Sequence, residues 1–271
     1  MIKIDISENY GAFIFKGDYI EIDSYCDALN NLLDKDYLIR DDLHIIYKTV
    51  SDIISILKNG IEADPYKEYY SIYIPIINGL FFGFIIDDFI YHHDAYLNKV
   101  ATLYDFNEKE ISGDEDIAEF LSTNYDESKS LEDNVFNINE KIVVSYQEAQ
   151  KCRYLVQYID QLMFEALGRL FGPFSRVGFE SELNDAKKDN PDLFKGYLFH
   201  YLEQISDIYL LSSKEEREER LLDIALILLN VDGEIYESVK EDVENTAKEL
   251  NISVYDVEYV YLVDRGDENL W

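Results

Sequence analysis

The chain has 271 residues, 47% of them hydrophobic, and 56 Asp and Glu against 24 Lys and Arg, a formal net charge of -32. That length buries a sizeable core, in one large domain or two smaller ones. The acidic surplus runs along the whole sequence, so the surface is expected to be negative almost everywhere, which disfavours direct binding of nucleic acid or anionic membrane and favours basic proteins or cations.

Cys26 and Cys152 are the only cysteines, lie far apart, and have no second thiol at metal-ligand spacing, so both are expected to be reduced and structural. The N-terminus lacks the basic and apolar regions of a signal peptide, which points to the cytoplasm. The most apolar stretch, Tyr73 to Ile90, is interrupted by Pro75, Asn78, Gly79, Gly83, Asp87 and Asp88. It falls short of the roughly 18 uninterrupted apolar residues of a membrane span.

In chain order, the first segment alternates apolar and polar residues and carries Gly17-Asp18 between two runs, the pattern of a short β-hairpin. Apolar residues at three- and four-residue spacing predict helices over Ser24 to Leu33 and Asp41 to Leu57. The second has an Asp41-Asp42 start signal and an Asn59-Gly60 stop. Around Asn78-Gly79, two β-branched and aromatic runs predict a buried hairpin between Tyr69 and Ile90, with Pro75 at an edge or bulge. From Asn107 to Glu140 acidic residues, Ser and Asn dominate, the character of an inter-domain segment with a short helix near Asp114 to Thr123.

Beyond it the pattern is helical: Ser145 to Phe171, closing at Gly172-Pro173, then Leu193 to Leu211, Glu215 to Leu229 and Tyr236 to Leu250, with Ser253 to Val263 as a last short helix. The expected fold class is thus α+β: an N-terminal mixed α/β region with hairpins over 1–106, an acidic linker over 107–144, and an all-α domain over 145–271.

Arg220 to Val260 has a distinctive order of parts: an apolar helix, an Asp232-Gly233-Glu234 turn, an acidic-capped helix to Leu250, and a short helix from Ser253. This arrangement resembles the TerB-like (tellurite-resistance) helical domain. The turn is accounted for structurally by Gly233 in a restricted conformation, Asp232 bonding free amides at the helix start, and Glu234 and Glu237 near its positive end, each carboxylate contributing about 0.3–1 kcal/mol. The resemblance implies a second role, since acidic residues around this turn in TerB-like domains are linked to divalent metal. Asp232 and Glu234 would take that role, flanked by Asp223 and Glu237, with calcium or zinc as the cation. An EF-hand register is excluded, because aligning Gly233 on the loop glycine puts Leu228 and Val239 at the first and last ligand positions. An earlier acidic turn is missing, because the helix to Phe171 ends in Leu-Phe-Gly-Pro.

His92-His93-Asp94, with Asp87 and Asp88 nearby, reads as a polar strand end, since adjacent strand residues face opposite ways. His44 and His200 fall in helical patterns and are expected to be partly buried. The chain has no Gly-rich phosphate loop, nucleophile elbow, zinc-binding His pair or paired Cys motif, so catalysis has no positive support. The 23 Tyr suit anchoring of Arg and Lys from a basic partner.

Three functions follow as expectations: a non-catalytic protein-binding adaptor, which the TerB-like resemblance places in a bacterial stress or defence system; a nucleic-acid-mimicking inhibitor or immunity protein against a basic nuclease; and a divalent-cation-responsive module. A phage or virion structural subunit is compatible with the same sequence.

Overall fold

The computed structural model describes residues 1–33, 44–64, 66–85, 128, 131–171, 197–231, 233–264 and 270–271. A three-stranded antiparallel sheet, β1 (Lys3–Ile6), β2 (Ala12–Gly17) and β3 (Tyr70–Pro75), runs in the order β1-β2-β3. With it are the helices α1 (Tyr19–Leu33), α2 (His44–Glu62), α3 (residues 76–85), α4 (Leu131–Phe171), α5 (Leu198–Leu210), α6 (Lys214–Leu229) and α7 (Glu234–Leu250), then a 3-10 turn at Val254–Asp256. The protein is α+β, with the strands gathered near the N-terminus and the C-terminal region mostly helical.

Strand alternation builds the sheet's inner face. Ile4, Phe15 and Ile72 align across the three strands, as do Ile6, Phe13 and Ile74, and all but Ile6 are buried. Helix α1 packs on α2 and α4 and stacks Tyr25 on Phe15 of β2, α2 packs on β3, and α4 packs on β1. The β1–β2 connection is a tight loop in which the Ser7 hydroxyl accepts from the amides of Gly11 (3.1 Å) and Ala12 (3.0 Å). Gly17-Asp18 is therefore not the hairpin turn. It is the β2–α1 junction, where Asp18 and Glu21 exchange side-chain-to-amide bonds of 3.1 and 2.9 Å, a capping box that turns the following residues into helix.

The Asn78-Gly79 hairpin is replaced by helix α3. The strand stops at Pro75, and the helix that follows is buried on nearly every side, Gly83 alone being half-buried. A helix apolar all round lacks the amphipathic stripe that distinguishes it from a buried strand pair. Gly79 is present for space: a Cβ there would lie 2.5 Å from a ring carbon of Phe13 and 2.8 Å from the Met163 methyl. Gly60 likewise does not stop α2, which runs to Glu62. A Cβ at Gly60 would stand 2.7 Å from Ile72 Cγ1, so the glycine lets the helix lie close on β3.

Helix α4 starts at Leu131, earlier than Ser145, and so takes in the end of the acidic segment. It packs on α1 and β1, and Arg169 near its C-terminus bonds the Ile4 carbonyl and the Asp5 carboxylate. One hydrophobic cluster contains residues from the sheet, α1 to α3 and α4 as well as from α5 to α7, so among the described residues the core is shared across the expected domain division. Residues 107–127 and 129–130, together with Asp41-Asp42 and Gly172-Pro173, lie outside the described residues.

A substitution at Gly79 separates helix propensity from packing. In an open helix Gly→Ala stabilises by about 1 kcal/mol, whereas overpacking typically costs about 1–3 kcal/mol. Gly79→Ala is expected to lower stability in a urea titration; an increase would refute the close approach of α3 to Phe13 and Met163.

Candidate functional site

The residues of interest lie on α6, α7 and the turn between them. Ser213 caps α6 in a reciprocal capping box with Glu216. Leu221, Ile224, Ala225 and Leu228 form its buried stripe. Asp223 falls between them on the exposed side. Asn230 ends the helix, and the Gly233 amide bonds its carbonyl at 3.0 Å. Gly233 is the N-cap of α7 with φ -79 and ψ 169, an extended conformation open to any residue. A Cβ there would stand 2.7 Å from Asn230 Nδ2, the end of an exposed side chain that can swing aside, and 3.0 Å from the Asn230 carbonyl oxygen, a tight but adjustable fit. Asp232 lies outside the described residues.

Along α7, Tyr236, Val239, Val243 and Ala247 face the core. The opposite side bears Glu234, Glu237, Glu241 and Glu244 at alternating three- and four-residue spacing, which keeps them on one face. With Ser238 and Lys240 they line an open groove of ≈ 460 Å³. Tyr197, at the N-cap of α5, completes this face from outside the helix: its hydroxyl donates to Glu244 Oε1 at 3.0 Å, and Lys240 Nζ stands 5.6 Å from its ring centroid. Tyr197 has no local sequence signal, because it meets α7 only through tertiary packing.

The groove thus brings Glu234 and Glu237 together, while Asp223 does not line it. At a rise of 1.5 Å per residue, Glu234 to Glu244 spans about 15 Å, too spread for carboxylates to converge on one ion. No group of three or more His, Cys, Asp or Glu that could hold a metal ion occurs among the described residues. The residues His92, His93 and Asp94 lie outside them.

A second polar constellation lies on α5, where His200, Glu203, Ser206 and Asp207 are buried. Asp207 Oδ2 accepts from the Tyr259 hydroxyl at 3.1 Å and from the Leu262 amide at 2.6 Å, fastening the chain beyond α7 against α5. That stretch is a 3-10 turn followed by irregular chain instead of the expected helix to Val263. His200 sits between the rings of Phe199 and Tyr259. Burial lowers its pKa, the nearby Lys48 adds to this, and a bond with the Val257 main chain opposes them. The two cysteines are free thiols, Cys26 being pushed up to about 12 by burial and Cys152 raised by the same cause.

A family model described as a domain of unknown function (DUF6904) matches residues 174–267. No curated protein and no solved structure matches the chain. The matched segment contains α5, α6 and α7, the helices that carry both constellations. Among the described residues, no helix is long and apolar enough to cross a membrane.

Two outcomes follow. Since a depressed histidine pKa favours the neutral form in the folded state, the stability it confers is complete above the unfolded value of about 6.5 and is lost as pH falls below it. The difference in thermal midpoint between wild type and His200→Gln should therefore change as pH drops from neutrality; parallel profiles would contradict a buried neutral imidazole. Calorimetric titration with calcium, magnesium or zinc chloride should give equal heats for wild type and Glu237→Gln, and a stoichiometric heat lost in the variant would establish a cation site on the groove.

Proposed function

We propose that this chain is a non-catalytic acidic protein-binding module whose α7 groove receives a basic segment of a partner. The observation that carries this reading is the row Glu234, Glu237, Glu241 and Glu244 along an open groove, in a chain whose net charge is -32. Carboxylates at these spacings match Lys or Arg repeated at helical intervals on a facing segment, and the general negative field speeds the approach of such a partner.

Exposed aromatic rings elsewhere on the chain offer further contacts for a basic partner. Tyr66, Tyr154, Tyr69 and Tyr261 expose 94%, 67%, 46% and 48% of their area, enough for Arg and Lys to stack on them. Through the TerB-like resemblance of Arg220 to Val260, the setting of this binding is a cytoplasmic bacterial stress or defence system in which the chain acts as an adaptor. A nucleic-acid-mimicking role uses the same acidic surface against a basic nuclease, and differs in requiring that DNA compete for the partner.

The test is titration of a fluorescent helical peptide bearing Lys at alternating three- and four-residue intervals. Binding should weaken steeply with added salt, and Glu237→Lys with Glu241→Lys should reduce affinity by about tenfold, as expected for two reversed rim charges at roughly 0.7 kcal/mol each. Salt-independent binding, or equal affinity for wild type and double variant, would refute the groove as the docking face.

A further inference from the structure

Beside the helical groove, the structure holds a segment of its own chain by main-chain contacts in a pre-shaped notch. Arg217, on the first turn of α6, is only 6% exposed. Its Nε donates to the Ser212 carbonyl at 3.0 Å and its Nη2 to the Leu210 carbonyl at 2.6 Å, while Nη1 reaches the carbonyls of Asn9 at 3.1 Å and Leu270 at 2.8 Å. Asn9 Nδ2 donates to the main-chain oxygen of Trp271 at 3.1 Å. Gly11 forms the floor: a Cβ there would run into the Leu270 carbonyl.

We propose that the notch formed by Asn9, Tyr10, Gly11 and Arg217 is a binding site for extended peptide backbone, occupied in cis by Leu270-Trp271 and open to an apolar segment with adjacent aliphatic and aromatic residues from another chain when Leu270-Trp271 is displaced. Recognition is directed at the main-chain oxygens of two successive residues, so it does not depend on the occupant's polar side chains. The notch is also held in shape by bonds that do not involve its occupant. Leu210, Ser212 and Asn9 retain Arg217, the Ser7 hydroxyl fixes the Gly11 and Ala12 amides, and the Tyr209 hydroxyl holds the Tyr10 carbonyl at 2.7 Å.

Tyr10 has a φ of 54, a left-handed conformation that a bulky residue adopts only when its surroundings impose it. Its carbonyl, the Gly11 floor and the Arg217 guanidinium are thereby aligned ahead of any ligand, so little ordering of the notch is needed on binding. The occupant is attached differently. Leu270 and Trp271 are only partly buried at the edge of the core.

Trp271 is the sole tryptophan, so its emission reports whether the notch is filled. With the full chain, the neutral blocked peptide acetyl-Asn-Leu-Phe-amide should displace it in trans, giving a saturable red shift and a several-fold rise in acrylamide quenching with the thermal midpoint preserved. Because a tethered segment competes at an effective concentration of order millimolar, the peptide is raised to about 10 mM. Gly11→Ala should show the red-shifted, quencher-accessible emission without peptide. Amide hydrogen exchange of the unmodified chain gives an independent reading, with Leu270 and Trp271 opening at lower free energy than β2. An inert peptide, or protection of Leu270 and Trp271 equal to that of β2, would overturn the proposal and make the segment an ordinary part of the core.

Discussion

The interaction on which the ends of this fold depend is the burial of Arg217. A guanidinium withdrawn from water is costly unless its donors are met, and here they are met by carbonyls from three separate parts of the chain: the β1–β2 loop, the end of α5 and the segment at Leu270. The geometry suits arginine, whose planar fork presents donors in several fixed directions, and would not suit the single point of a lysine. Leu210 is the last residue of α5, so the cation also satisfies a carbonyl at the negative end of that helix. One side chain thus ties the strand-bearing region to the helical one. It does so with main-chain dipoles, which no other part of the acidic sequence has to supply.

Other positive charges are also engaged within the molecule. Arg169 and Lys16 both reach Asp5, the N-terminal amine reaches Glu21, and Lys48 and Lys240 lie over the rings of Phe199 and Tyr197. These contacts leave a surface whose sign is set by carboxylates, and among the described residues the glutamates on α7 form a regularly spaced series. Regular spacing distinguishes that series from a diffuse acidic coat, because it gives a partner a register to match. The same spacing separates the carboxylates along the helix, which favours an extended cationic ligand over a single ion.

The glycines show how local and tertiary readings diverge. Asn78-Gly79 and Asn59-Gly60 carry the composition of a hairpin turn and a helix stop, and locally either would be reasonable. In the fold both glycines lie inside helices at points where Phe13 or Ile72 comes too close for a Cβ. At Gly233 the backbone is extended and the nearest atom is the tip of the exposed Asn230 side chain, so neither turn geometry nor core packing demands glycine as it does at the other two. Identical sequence signals therefore arise from turn geometry and from close packing, and only the position of a distant side chain separates them.

The sequence alone determined the α+β class, the amphipathic helices and the acidic start of α7, because these follow from periodicity, capping residues and charge within a few neighbouring positions; the first hairpin it placed with a turn at Gly17-Asp18, whereas the strands turn within residues 7–11. It also marked Glu234 and Glu237 as neighbours, since one helical turn separates them. Tertiary structure alone decided that 76–85 is helix, that Tyr197 lies against the glutamates, that Asp207 fastens the chain after α7, and that Arg217 joins Asn9 to Leu270. Each of those depends on residues brought together from far apart in the chain, where packing volume and the need to satisfy buried donors, not local pattern, choose the partners.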